Sequence, residues 1–171
     1  MINGYPRVTD ILRRAGLVNA DWYTEEARER GSAVHIAAHF LDQHDLDWAS
    51  VDPSVVPRLR QYQKFLDEVK PEILAIEEEV TNEALQYQGR LDRRYRIDSQ
   101  EWIVDFKGPG QAPWQAIQTA LYAGTFPRPM RRAALHLSDE RYQFVEHKDR
   151  KDWETAKAAI SIASWKEAHG V

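Results

Sequence analysis

The sequence predicts an α/β fold, a central mixed β-sheet of about five strands flanked by helices. Three observations predict it. Tyr87 to Lys107 reads as two strands joined by a tight polar turn, and its second strand holds Trp102, Ile103, Val104 and Phe106. That apolar run is what a central strand buried on both faces shows. A second pair of β-type runs, 131–138 and 142–147, flanks a Ser-Asp-Glu-Arg turn. Segments with helix-capping signals precede, separate and follow the strands.

The 171 residues suit one domain, spanning 1–171, with no composition shift to mark a boundary. Cysteine is absent, which excludes disulfides, thiolate-held zinc and iron-sulfur clusters. No apolar run approaches the roughly 18 residues that span a bilayer, and the amino terminus lacks a signal-peptide pattern. A soluble cytoplasmic protein, with no membrane partner, is the expectation. The net charge of −4 and pI near 5.9 argue against a histone-like polycation. They leave room for a local basic surface that binds phosphate.

In chain order, Thr9 or Asp10 is the expected N-cap of a short helix that Gly16 stops. Its Arg13 and Arg14 are either phosphate contacts or a solvated face. A longer helix runs from Thr24 to about Leu41, with Glu25 and Glu26 at its positive end. Gly31, Ser32, Ala33, Ala37 and Ala38 would let it approach a sheet closely, while His35 and His39 share a face. Such a pair can be a zinc site, although no third ligand is evident. An acidic loop, 42–52, leads to a helix over about 54–69 that Pro71 ends. Ile73 to Thr81 alternates as a strand with Glu77 and Glu79 on one face; Glu77 is either a helper of a metal site or an edge charge. After the hairpin, 108–113 is a loop that hands over to a helix ending at Gly124, where Gln118 and Tyr122 stack at i, i+4. A last helix, from about Asp149 to His169, should turn Trp153, Ile160 and Trp165 to the core.

The chemistry concentrates on the central hairpin. Aspartate is depleted inside strands, yet Asp92 and Asp105 each sit in one. A Ser99-Gln100 loop would place Asp92 opposite Lys107 and Arg94 opposite Asp105, all on one face. Asp92 and Asp105 would then be diagonal neighbours roughly 7 Å apart, close enough to hold one hard cation. A one-residue slip would send Asp92 to the other face unless a bulge restores it. The alternative is a solvated hairpin face. Against it, charges at the end of a buried strand need a partner or a metal.

In order along the chain stand Gly31 with His35 as Gly-x-x-x-His, Gly89 with Asp92 as Gly-x-x-Asp, Asp105 with Lys107 as Asp-x-Lys, and Gln118 with Tyr122 as Gln-x-x-x-Tyr. In this series, covering nearly the whole chain, the sequence resembles the PD-(D/E)XK nuclease superfamily, in its RecB-like and phage-exonuclease-like branch. Tyr5 to Leu12 is also similar to the amino-terminal segment of phage members. The resemblance implies a restriction-endonuclease-like core and metal-dependent DNA hydrolysis by an exonuclease of recombination, repair or phage DNA processing; the alternative is a noncatalytic DNA-binding protein that keeps the fold. It implies that Asp92, Asp105, the Phe106 carbonyl and His35 ligate Mg²⁺ or Mn²⁺, that Lys107 orients the attacking water and that Glu77 assists. Gln118 and Tyr122 would line the site beside the nucleic acid. Arg30 and Arg90 are further expected contacts to DNA. Arg93, Arg94 and Arg96 crowd the same hairpin and either steer phosphates or, for Arg94, pair with Asp105. No iron-sulfur cluster is possible, and the resemblance leaves homo-oligomerisation open.

Overall fold

A computed structural model describes residues 4–18 and 24–171. Their helices are α1 (Val8–Arg14), α2 (Glu25–Asp42), α3 (Val56–Val69), α4 (Trp114–Ala123) and α5 (Lys151–His169). The strands are β1 (Glu72–Asn82), β2 (Tyr87–Ile97), β3 (Gln100–Lys107), β4 (Arg131–Leu137) and β5 (Tyr142–Glu146). They form a five-stranded mixed sheet in the order β1-β2-β3-β4-β5. Only β3 and β4 pair in parallel, through the α4 crossover; the other neighbours are antiparallel. Among the described residues no helix is long and apolar enough to cross a membrane.

Helices cover both faces of the sheet. On the first face, Ile11 and Leu12 of α1, Ile117 and Leu121 of α4 and Ala156, Ala159 and Ala163 of α5 pack with Leu91 and Ile103. On the second, α2 and α3 bring Ala38, Leu59 and Phe65 against Tyr95, Trp102, Val104 and Phe106. β3 thus buries alternate residues on opposite faces, as its apolar run requires.

Several local expectations shift. α1 starts one residue before Thr9, with Arg7 as a cap lacking a side-chain bond. Arg7 bridges to Gln88 of β2, and that tether sets where the helix begins. Thr24 caps α2 as expected, accepting from the Ala27 N–H. Trp165 does not reach the core; it is 58% exposed and stacks on His169. The face of α5 is set by its small alanines, and Trp165 lies roughly 200° round the helix from Ala163. A Cβ on Gly31 would meet nothing within 4 Å, so Ala37 and Ala38 make the close approach.

The central turn is made by Asp98 and Ser99, both at positive φ, and not by Ser99 and Gln100. Two such residues make a type I′ hairpin turn, and aspartate tolerates the left-handed region better than glutamine. Arg94 therefore pairs with Ile103 and Arg93 with Val104, and Arg94 is not opposite Asp105. The shift along β3 is two residues, so faces are kept. Past Arg93 the ladder breaks. The Asp92 carboxylate enters it and accepts the Phe106 N–H at 2.6 Å. At this point the alternation of β2 changes phase, with Leu91 on the first face and Tyr95 on the second. Glu77, at the same level of β1, sits at φ 50°, a conformation costing about 1–2 kcal/mol for a residue with a Cβ.

Candidate metal centre

The phase change places one polar group from each of several elements at the same end of the sheet. His35 of α2, Glu77 of β1, Asp92 of β2 and Asp105 and Lys107 of β3 line one cleft of about 980 Å³. Phe106, Arg90, Gln118 and Tyr122 line it too. Arg30 does not. It pairs with Glu26 one turn back on α2, and Arg28 lines the cleft. Arg28 is seven residues before His35, two helical turns on the same face, so the helical period points to it.

His35 Nδ1 lies 3.5 Å from Asp92 Oδ1 and 3.7 Å from Glu77 Oε1. One ligand atom from each of the three lies within 4.8 Å of the others. Ligands on one ion with bonds of about 2.1 Å stand roughly 3–4.2 Å apart, so the two measured spacings fit a single divalent cation. Two carboxylates and an imidazole are a donor set that suits a divalent cation. His39 is outside this group and lies edge-on to Phe40, so among the described residues no three-ligand group joins the two histidines.

Glu77 stands inside the group, and Asp105 stands beside it, ion-paired with Lys107. Asp105 is only 2% exposed, and an anion buried that deeply needs the ammonium. The Phe106 N–H is committed to Asp92.

These contacts bias the protonation of each group. Burial raises the Asp92 pKa, and the Asp105 charge adds to it, against the opposing pull of His35, Lys107 and the Phe106 N–H. Burial would lower His35, but Asp92, Glu77 and Asp105 outweigh it and the net shift is upward. Glu77 is lowered, chiefly by the neighbouring His35 imidazole, with Arg90 and Arg93 contributing.

Behind the cleft floor is a buried network that sequence reasoning missed. Arg93, assigned there to phosphate steering, is fully buried. Its Nε donates to Asp42 at 2.6 Å, and its Nη1 donates to the Asp92 carbonyl at 2.6 Å and reaches Glu77 at 3.5 Å. Asp42 also accepts the Tyr62 hydroxyl at 2.5 Å, which leaves the Tyr62 oxygen to accept the Tyr95 hydroxyl at 2.6 Å. Arg94 bonds Glu78 and Glu101, which makes it structural. Arg90 is exposed at the rim, 3.0 Å from Glu77.

On the far wall the Gln118 amide donates to the Tyr122 hydroxyl at 3.3 Å, and its buried oxygen has no partner among the described residues. Burial raises the Tyr122 phenol pKa, with Asp105 and Asp92 adding to it. The Tyr122 ring packs on Gly89, where an added Cβ would come 2.6 Å from Cε1. This is why the Gly-x-x-Asp spacing puts glycine at that position.

No family model matches the chain, and no match is found among curated proteins. Several solved structures are similar in outline, two of them as follows. The protein SSO0001 matches at 15% identity and TM-score 0.46, over 93% of this chain and 74% of that one. An alkaline exonuclease, LHK-Exo from Laribacter hongkongensis, matches at 11% identity and TM-score 0.46, over 98% of this chain and 94% of that one.

Proposed function

We propose that this chain is a metal-dependent deoxyribonuclease, a single PD-(D/E)XK-type domain over 1–171, acting as an exonuclease in recombination, repair or phage DNA processing. One observation carries the reading. The residues singled out by four short motifs, His35, Asp92, the Asp105 and Lys107 pair, and Gln118 with Tyr122, line one cleft, and Glu77 completes a metal-sized donor group on its floor.

In this reading His35, Glu77 and Asp92 hold Mg²⁺ or Mn²⁺. The ion would supply positive charge against the scissile phosphate and make an attacking water more acidic. Asp105 fixes the Lys107 ammonium, which orients that water for attack on phosphorus as the bond to the leaving oxygen breaks. Arg28 and Arg90 guide the DNA backbone from the rim, and Gln118 and Tyr122 contact it on the far wall. The Arg93 network keeps Glu77 and Asp92 from separating under their mutual repulsion.

The test is cleavage of labelled DNA with Mg²⁺ or Mn²⁺ by wild type, Asp105→Ala and Lys107→Ala. Loss of a positioned general acid, base or charge lowers rates by about 10²–10⁴-fold. Full activity in both variants would remove the proposed site.

A further inference from the structure

α2 presents the cleft with an apolar edge that no described part of the chain covers. Ile36 is 60% exposed and Phe40 42%, and both line the cleft. Four residues apart, they are neighbours on one helical face. The core does not need them, because Val34, Ala37, Ala38 and Leu41 anchor α2 to the sheet. Phe40 stands edge-on to the His39 ring, with centroids 5.9 Å apart. Single exposed apolar side chains are ordinary. An adjacent pair in the wall of a cleft that also holds Arg28, Arg90 and Lys107 is a different matter.

The cations suit phosphates, so an apolar contact within reach of a bound backbone falls to the bases. In a closed duplex the flat faces of the bases are stacked on one another, and only their polar edges show in the grooves. Unstacked bases offer those faces to aromatic and apolar side chains whatever the sequence. We infer that Ile36 and Phe40 form a contact surface for unstacked nucleobases, so that DNA enters the cleft as a single strand. This inference rests on the nuclease reading and specifies its substrate.

The test compares wild type with the Ile36→Ser/Phe40→Ser double variant on a 5′-labelled single strand and on a blunt duplex containing that strand. Binding is read by fluorescence anisotropy with Ca²⁺, and cleavage with Mn²⁺. Wild type should prefer the single strand. The double variant should bind it about ten- to a hundredfold more weakly, the scale of one or two lost stacking contacts, with duplex binding changed less than about twofold. Phe40→Trp, which keeps a flat ring, should retain the preference and guards against a variant that merely misfolds. Equal losses on both probes, or a wild type that treats the two alike while cutting them, would overturn the inference and leave the nuclease reading standing. Binding of neither probe and no cleavage would overturn both. A wild-type dimer that the double variant converts to monomer in light scattering would assign this face to a second copy of the chain and overturn the inference.

Discussion

Replacing Asp42 with alanine leaves the Arg93 guanidinium charged, buried and short of its strongest partner. Both side chains have no exposed surface, so water cannot take the lost place. Breaking one side of a buried ion pair costs about 3–5 kcal/mol, and the Tyr62 hydroxyl loses its 2.5 Å acceptor in the same step. With a urea m-value of about 2 kcal/mol/M, the midpoint should fall by about 1.5–2.5 M. Circular dichroism in urea measures this without reference to catalysis. Arg93→Met in the same background removes the stranded charge, and the double variant should recover a large part of the loss, because two well-packed apolar groups replace a buried pair at little cost. The reasoning is refuted by a single variant within about 1 kcal/mol of wild type, or by a double variant in which the two losses simply add.

Glu77→Gln should weaken Mn²⁺ binding at least about tenfold in calorimetry, the loss associated with altering a metal's immediate environment; unchanged affinity would return Glu77 to the edge-charge reading. Gly89→Ala drives a methyl into the Tyr122 ring and toward Val8, an overpacking of about 1–3 kcal/mol, and differential scanning calorimetry should show the melting temperature about 2–10 °C lower. A companion Tyr122→Leu change should give part of that back, and an unaltered melt would mean that the helix shifts freely. Burial, with the neighbouring Arg132, lowers His147 to about 4, and its Nδ1 meets the Thr119 hydroxyl at 2.9 Å. The unfolded chain therefore takes up a proton first as pH falls, so this stability is full above about pH 6.5 and is lost toward pH 4, by at most about 3 kcal/mol. The stability difference between wild type and His147→Asn should shrink over that range in urea titrations; a difference independent of pH would refute it.

The strands and helices were legible because their signals are local. The alternation in 102–107, the Thr24 cap and the prolines around α3 each act within a few residues. The faces of the hairpin survived an error in its turn, since the true register differs by two and not by one. What stayed hidden has no local signal. Crowding in the sequence groups the arginines of 90–96 as one basic surface, whereas Arg93 shares the face of Tyr95 and turns inward to Asp42, fifty-one positions away. Nothing in an acidic loop beginning at Asp42 announces a buried anion. Glu77 joined the donor set for a similar reason, because its positive φ is a backbone state that no flanking residue signals. Arg28 was different: the period of α2 points to it as readily as to His39.

The carboxylate that stands in the β2–β3 ladder has a practical consequence for anyone altering the proposed metal site. Asp92 Oδ2 takes the place of a main-chain acceptor for Phe106, so an alanine there would strand a buried amide and loosen the strand that carries Asp105 and Lys107. Asparagine keeps an oxygen in that place while discarding the negative charge. It is the cleaner choice wherever the proposed activity must be silenced in a chain that still folds properly.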